Sequence, residues 1–421
     1  MSDFSPELGL KCPLSPAEEA EFQKQWDHLT FGTVEITPRD EFALMLRNSI
    51  KTHTPLRIKC GIDPTGHEVH LGHLVPYRKM RQFEDFGHKG VVVIGDYTAQ
   101  IGDPTGKNES RPALSAEQVK ANAQNYMDQI FTVLDPQKTE VRWQSEWFAK
   151  ISLHDVLHWA SETTLAKLLS HETFAQRLQT GSSLGLHEFF YPVLQGMDSV
   201  FIQADVELGG SDQKFNVLMG RDYQKNRKMR PQVAMLLPII TGTDGQQKMS
   251  KSLHNYIAIQ DRPQEQFGKV MSIPDRLMLE YYQYLTNLTA AEFASLAQKI
   301  QSGTLHPNEA KKQLATQIVQ LFYGPQIAQQ AREEFERIFA QKALPSEIPV
   351  YAYTENEGIV DALFNAQIVA SKSEARRLIK QNAVSIENQK ITQEDLRLST
   401  AFNDQVVKAG KRKFLRLKLK S

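Results

Sequence analysis

An extended, apolar-rich run, Leu56 to Ile62, leads directly into Asp63-Pro64-Thr65-Gly66 and then His70-Leu71-Gly72-His73. The pattern is strand, turn, helix start, and a helix start presents free backbone N–H groups to anions. Two imidazoles at i and i+3 around a glycine stand at that junction. Far downstream, Lys248-Met249-Ser250-Lys251-Ser252 puts two ammonium groups three residues apart on a Gly-flanked loop. Such a loop can close over a polyphosphate.

Together the two segments read as a site that holds ATP and stabilises charge on its phosphates. A lone histidine on a helix is more often packed or solvated, but a pair around a glycine at a strand–helix junction fits a motif context. Gly102-Asp103-Pro104-Thr105-Gly106-Lys107 looks superficially like a phosphate loop, yet it lacks the GxxxxGK[ST] spacing.

The surrounding pattern predicts an α/β fold. Apolar Leu71, Leu74, Val75, Met80 and Phe83 follow helical spacing after His70, with Pro76 expected near the first turn. Gly90-Val91-Val92-Val93-Ile94-Gly95 is β-branched and wholly apolar, the mark of a buried parallel strand. Helices are expected over 115–134, 153–169 and 171–178, and a strand over 199–205 ahead of Gly209-Gly210-Ser211-Asp212. This alternation predicts a doubly wound parallel sheet, Rossmann-like, with ligands at the carboxyl ends of its strands. Beyond the KMSKS loop the expectation is helical: 263–271, 275–285, 290–301 and 308–339. A proline-marked linker follows at 343–349. Three domains are expected: 1–246 Rossmann-like with a helical insertion, 247–345 helical, and 346–421 a small α+β module.

In that last module Ser371-Lys372-Ser373-Glu374 reads as a capping box. Lys372, Arg376, Arg377 and Lys380 then form a basic helix face opposite Ala375, Leu378 and Ile379. From Phe414 to Lys420, leucines alternate with basic residues, as in a half-buried strand. Residues 371–421 carry 13 Lys+Arg against 5 Asp+Glu, whereas the whole chain sums to zero. A basic end on an otherwise acidic chain suggests a polyanionic partner, although a charge run by itself is often only a solvated face.

Other partners are disfavoured. No apolar run approaches the ~20 residues of a membrane span. The first residues show acids and prolines rather than the apolar core of a signal peptide. Cys12 and Cys60 offer neither a disulfide framework nor a metal cluster. A cytoplasmic location and no protein-bound metal are therefore expected.

The two signatures, in this order, resemble those of bacterial tyrosyl-tRNA synthetases, members of the class I aminoacyl-tRNA synthetases. His70-Leu71-Gly72-His73 stands as the "HIGH" signature and residues 248–252 as "KMSKS". The C-terminal module is similar to the RNA-binding domain shared with ribosomal protein S-four. The resemblance runs from about residue 33 to 421. It implies activation of tyrosine with ATP (accompanied by Mg²⁺), transfer to tRNA and a homodimer, with no role for DNA or membrane. It also implies roles. Thr65, His70 and His73 meet ATP, while Lys248, Lys251 and Ser252 grip pyrophosphate, with Lys107 and Arg111 nearby. Cys60, Asp63 and Thr98 bind substrate, Asp103, Tyr191 and Gln195 hold the amino-acid ammonium, Asp198 accepts the phenolic hydrogen, and Gly210, Asp212 and Gln213 meet the ribose and amino acid. Lys372, Arg376, Arg377 and Lys380 touch RNA phosphates.

One position departs from the pattern: many members carry a Tyr where this chain has Lys59. A subgroup has Lys there, so the tyrosine assignment stands, and Lys59 either pairs with Asp198 or points elsewhere. The competing readings are a tryptophanyl-tRNA synthetase or other HxGH nucleotidyl transferase, which would not need the C-terminal module, and a non-catalytic RNA-binding relative.

Overall fold

The computed structural model describes residues 13–66, 68–105, 115–340, 348–387, 389–410 and 413–420. It divides into two compact units, Met1–Ala328 and Gln329–Ser421.

The first unit is built on six strands: β1 (Glu35–Thr37), β2 (Arg57–Ile62), β3 (Lys89–Ile94), β4 (Thr139–Trp143), β5 (Val206–Gly210) and β6 (Val233–Leu237). Their order is β1-β6-β5-β2-β3-β4, with β1 antiparallel and every other pairing parallel. From β2 the chain steps outward to β3 and β4, then returns to place β5 on the other side of β2. That reversal opens a crevice at the carboxyl ends of β2 and β5, the place where doubly wound sheets take their ligands. β3 and β6 are buried along nearly their whole length, as apolar runs covered on both faces should be.

Several boundaries differ from the sequence reading. Residues 199–205 are not a strand: the helix Phe190–Phe201 runs through Ser199, turns at Gln203 (φ 53°), and β5 begins only at Val206. The Ala204 N–H donates to the Ser199 carbonyl at 3.1 Å, closing the helix end where β-propensity pointed to extension. Residues 153–169 form two helices, Leu153–Ser161 and Leu165–Leu168, because Thr164 caps a new start by accepting from the Lys167 N–H. Pro76 falls in the second turn of the helix Leu71–Asp85, so the Gly72 carbonyl loses its helical donor.

The helical tract after β6 includes Pro263–Met271, Met278–Leu285 and Ala290–Gln301. The expected 308–339 helix spans Pro307–Ala340 but is interrupted at Gly324 (φ 80°), just before Pro325. Except for Ile348 and Pro349, the proline-marked linker lies outside the described residues.

An early helix, Pro16–Thr30, opens on a capping box of Ser15 and Glu18. Its far end is closed by Lys79, a buried side chain from the helix Leu71–Asp85. The Lys79 ammonium donates to the carbonyls of Leu29 at 3.1 Å and Phe31 at 2.8 Å.

The second unit has strands β7 (Val350–Tyr353), β8 (Val384–Ile386), β9 (Gln389–Lys390), β10 (Val406–Ala409) and β11 (Lys413–Leu419), in the order β7-β11-β10-β8-β9. Leu415 and Leu417 enter its core with Ala375 and Ile379 of the helix Lys372–Lys380, while Lys418 faces outward. The expected capping box is half formed. The Glu374 N–H donates to Ser371 Oγ, but the Glu374 carboxylate accepts from the Ala370 N–H, one residue beyond the cap.

Lys79→Met keeps the apolar stem and removes the donor, leaving helix-end carbonyls unpaired in the interior. The expected loss is about 1–3 kcal/mol, read as a lower urea midpoint with an unchanged slope. An unchanged midpoint would show that water or backbone readjustment satisfies those carbonyls.

Candidate active site

Four of the parallel strands, β2 to β5, deliver polar side chains to the crevice from the segments behind their carboxyl ends. After β2 comes Asp63, and after β3 comes Thr98. Gln144 follows β4, and Asp212 and Gln213 follow β5. Thr98 Oγ1 donates to Asp63 Oδ1 at 2.7 Å and the Tyr191 hydroxyl donates to Asp63 Oδ2 at 2.8 Å. Gln144 Oε1 accepts the backbone N–H groups of Tyr97 and Thr98 at 3.1 and 3.0 Å. That fixes which way the amide faces, so Gln144 Nε2 must point onward, and it donates to Asp198 Oδ2 at 2.8 Å. Trp147 Nε1 donates to Asp198 Oδ1 at 3.1 Å. A chain of side chains thus runs from Tyr191 through Asp63, Thr98 and Gln144 to Asp198.

Asp198 is 2% exposed. Burial pushes its carboxyl up to about 7, against the pull of the Lys59 ammonium and of the Gln144 and Trp147 donors. Lys59 does not hydrogen-bond Asp198. Its ammonium pairs with Glu207 at 2.9 Å, both groups being buried. Gln195, one helical turn from Tyr191, donates from Nε2 to Glu207 Oε1 at 3.1 Å. On the other side of the crevice Gln213 Nε2 donates to Asp103 Oδ2 at 2.8 Å, and Thr105 N–H donates to Asp103 Oδ1. Cys60 alternates with Lys59 and so lies on the opposite face of β2. It is buried, its thiol pushed up to about 12 by desolvation.

The second cluster joins the two signatures. His70 and His73 stack with ring centroids 3.6 Å apart. Gly72 lies between them: a Cβ there would come within 3.2 Å of the His70 ring. Burial lowers both imidazoles, His70 to about 4, with the Lys251 charge adding to the effect, so both are neutral near pH 7. His70 Nδ1 is buried with no hydrogen-bond partner among the described residues. A buried polar atom of that kind calls for a hydrogen-bond partner, a water or a ligand.

The Lys251 ammonium donates to the Glu68 carbonyl at 3.0 Å, and the Tyr256 hydroxyl donates to the Glu68 carboxylate at 2.9 Å. Backbone bonds from Leu71 to Ile257 and from Ile259 to Val69 stitch the segment after the lysine loop onto the start of the histidine helix. Lys248 and Ser252 are exposed on that loop, as is Thr65 opposite. Lys107 and Arg111 lie outside the described residues.

In the second unit Lys372, Arg376, Arg377 and Lys380 are all exposed on one helix. Lys372 pairs with Asp361 at 2.8 Å and Lys380 with Glu394 at 3.3 Å. Exposed pairs of this kind are weak and readily exchanged for other anions.

A family model described as "tRNA synthetases class I (W and Y)" matches residues 51–340. A second, "Tyrosine--tRNA ligase SYY-like C-terminal domain", matches residues 339–417. Curated tyrosine–tRNA ligases from Moorella thermoacetica and Thermotoga maritima are 46% and 42% identical over 400 and 395 residues. Those alignments cover 95% and 91% of this chain and 97% and 98% of the relatives.

The chain belongs to the class I tyrosine–tRNA ligases.

Solved relatives show the same fold at lower identity. The tyrosyl-tRNA synthetase of Archaeoglobus fulgidus, solved with L-tyrosine, aligns at TM-score 0.60 and 23% identity over 74% of this chain and 99% of that one. The Plasmodium falciparum tryptophanyl-tRNA synthetase aligns at 0.56 and 18% over 76% and 89%. The fold therefore does not separate the tyrosine from the tryptophan ligases; the curated relatives and the C-terminal match do.

Sequence reasoning missed four members of the candidate site. Gln144 and Trp147, which hold Asp198, follow β4, a strand absent from the sequence-based expectation. Glu207, the partner of Lys59, fell between the misplaced strand and the Gly-Gly pair; a lone acid in an apolar run was the available signal. Glu68, which meets both Lys251 and Tyr256, stands inside the first motif with no signal of its own.

Proposed function

We propose that the chain activates tyrosine with ATP and passes the tyrosyl group to the 3′ end of its tRNA. The observation that carries this reading is the buried Asp198 carboxylate, held by two donors at one end of a side-chain relay in the switch-point crevice. A carboxylate so placed still has lone pairs to accept a phenolic hydrogen. An amino acid without that hydroxyl leaves the carboxylate short of a partner, which is costly in a dry pocket.

The amino group of tyrosine sits among the acceptors at the other end of the relay: Asp103, Tyr191 and the Gln195 amide oxygen, with Asp63 and Thr98 orienting Tyr191. The tyrosine carboxylate oxygen attacks the α-phosphorus of ATP, which enters with Mg²⁺ as part of the substrate. The P–O bond to the β-phosphate breaks and pyrophosphate leaves. No covalent enzyme intermediate is needed, so catalysis is positioning and charge stabilisation. His70 and His73, neutral at pH 7, donate to phosphate oxygens with Thr65. Lys248, Lys251 and Ser252 take the leaving pyrophosphate. A role there for Lys107 and Arg111 rests on the resemblance alone. Gly210, Asp212 and Gln213 meet the ribose and the amino acid. In the second step a ribose hydroxyl of the tRNA attacks the tyrosyl carbonyl and AMP departs.

Residues 1–246 form the catalytic part of this proposal, 247–345 the lysine loop and helical part, and 346–421 the RNA-binding part. The exposed face of Lys372, Arg376, Arg377 and Lys380 suits RNA phosphates, which supply affinity and placement. A cytoplasmic homodimer belongs to the same reading. Among the described residues no helix is long and apolar enough to cross a membrane.

With its carboxyl held up at about 7, Asp198 favours the fold in its protonated form. That contribution is full at pH values below the ordinary carboxylate range and is lost as pH rises through about 7. The ionised form is the better acceptor for a phenol, so kcat/KM for tyrosine in ATP–pyrophosphate exchange should rise with pH through about 7. The lowered histidines do not titrate in that window. Asp198→Asn should flatten the limb and narrow the preference for tyrosine over phenylalanine; a limb that survives the substitution would place its origin elsewhere.

Lys251→Ala should slow adenylate formation about a hundredfold or more while leaving tyrosine affinity nearly intact, because it meets charge that develops on the leaving group. A raised ATP requirement at an unchanged rate constant would contradict this.

Replacing Arg376, Arg377 and Lys380 together by Ala should weaken tRNA binding and make it less sensitive to salt, by about one unit of log–log slope for each phosphate no longer neutralised. Exchange without tRNA should not change. An unaltered salt slope would mark this face as merely solvated.

A further inference from the structure

Lys59 on β2 and Glu207 on β5 stand opposite one another in the parallel pairing, with side chains 0% and 1% exposed. Both reach the helix Phe190–Phe201. The ammonium has three acceptors: Glu207 Oε1 at 2.9 Å, the Gln195 carbonyl at 2.8 Å and Ser199 Oγ at 2.8 Å. The carboxylate is equally occupied. Gln195 Nε2 donates to Oε1 at 3.1 Å, Ser199 Oγ donates to Oε2 at 3.0 Å, and Gln232 Nε2 also donates to Oε2.

A buried ion pair is a poor way to gain stability. Apolar residues of similar volume often do as well or better. This pair, however, touches two residues of the amino-acid pocket. Because Gln195 Nε2 is committed to Glu207, the Gln195 amide oxygen becomes the acceptor left for an ammonium group. Asp198 lies one residue before Ser199, within the field of both charges.

We propose that Lys59 and Glu207 are positioning residues for amino-acid recognition: Glu207 orients the Gln195 amide, and Lys59 sets a buried positive charge against the Asp198 carboxylate. Their polar atoms are taken up by one another and by Gln195, Ser199 and Gln232, so they act through those neighbours rather than on the substrate. The inference rests on the reading of Gln195 and Asp198 as tyrosine ligands. It also answers the departure at position 59: the ammonium does not replace a hydroxyl contact but works from beneath the pocket. Among the described residues the charged groups that weigh most on Asp198 are Lys59 from β2 and Glu207 from β5; Gln144 and Trp147, behind β4, are neutral donors.

The test compares Lys59→Met, Glu207→Gln and the double variant Lys59→Met/Glu207→Met by tyrosine-dependent ATP–pyrophosphate exchange and urea unfolding. In the double variant the urea midpoint should hold or rise. Its KM for tyrosine should rise about tenfold, the equivalent of one hydrogen bond, with KM for ATP unchanged. The two single variants should move the acid limb of kcat/KM for tyrosine in opposite directions, Lys59→Met to higher pH and Glu207→Gln to lower pH. Glu207→Gln, which retains an acceptor for Gln195, should also keep KM closer to wild type than the double variant does. If the singles fail to fold, the double variant decides through KM. A stable double variant with wild-type KM for tyrosine, or single variants whose limbs do not part, would reduce the pair to core filling. Asp198→Asn serves as the control: if it leaves the limb and the tyrosine preference intact, the pocket assignment itself fails, whatever the pair does.

Discussion

The parallel pairing of β2 with β5 is the contact on which the rest depends. It joins the strand that leads into Asp63 to the strand that ends in Gly210, across the point where the strand order reverses. A sheet wound in one direction only would have no such crevice. The pairing also puts Lys59 opposite Glu207, so an ion pair is built into the register itself. A one-residue slip of either strand would turn its charged side chain to the other face of the sheet and leave each charge without its partner.

Two electrostatic regimes share the crevice. At one end, burial keeps the His70 and His73 imidazoles neutral beside the Lys251 ammonium, so the positive charge there is concentrated on lysines and backbone amides. At the other, burial works on a carboxylate, and neighbouring charges of both signs decide how far Asp198 is lifted. Desolvation acts in both places. It favours the neutral form each time, lowering imidazoles and raising a carboxyl. The proposed reaction, which holds polyphosphate at one end and reads a hydroxyl at the other, uses both.

Much of this was legible in the chain. The β2–turn–helix junction, the buried β3 and most helices after the KMSKS loop declared themselves through local spacing. So did the apolar and basic faces of the helix Lys372–Lys380. The failures have local causes. Residues 199–205 carry β-branched and aromatic side chains that read as extended, yet the helix they end is held by packing and by a left-handed Gln203. Gln144 and Trp147 were invisible because nothing in their neighbourhood marks them as ligands of Asp198, 54 and 51 positions away.

The sequence by itself determined which chemistry is present: paired histidines behind a strand, paired lysines on a loop, and a basic terminal module. Those are matters of residue type and spacing within a few turns of chain. The tertiary structure alone decided who meets whom. Lys59 could have faced Asp198 or turned away, and the register of β2 against β5 sent it to Glu207. Glu68 became the anchor of Lys251 and Tyr256 only when residues 257–259 were bonded to 69–71. A pairwise contact across more than a hundred residues has no signature in local spacing; it exists because a sheet has one register and a buried charge must find a partner.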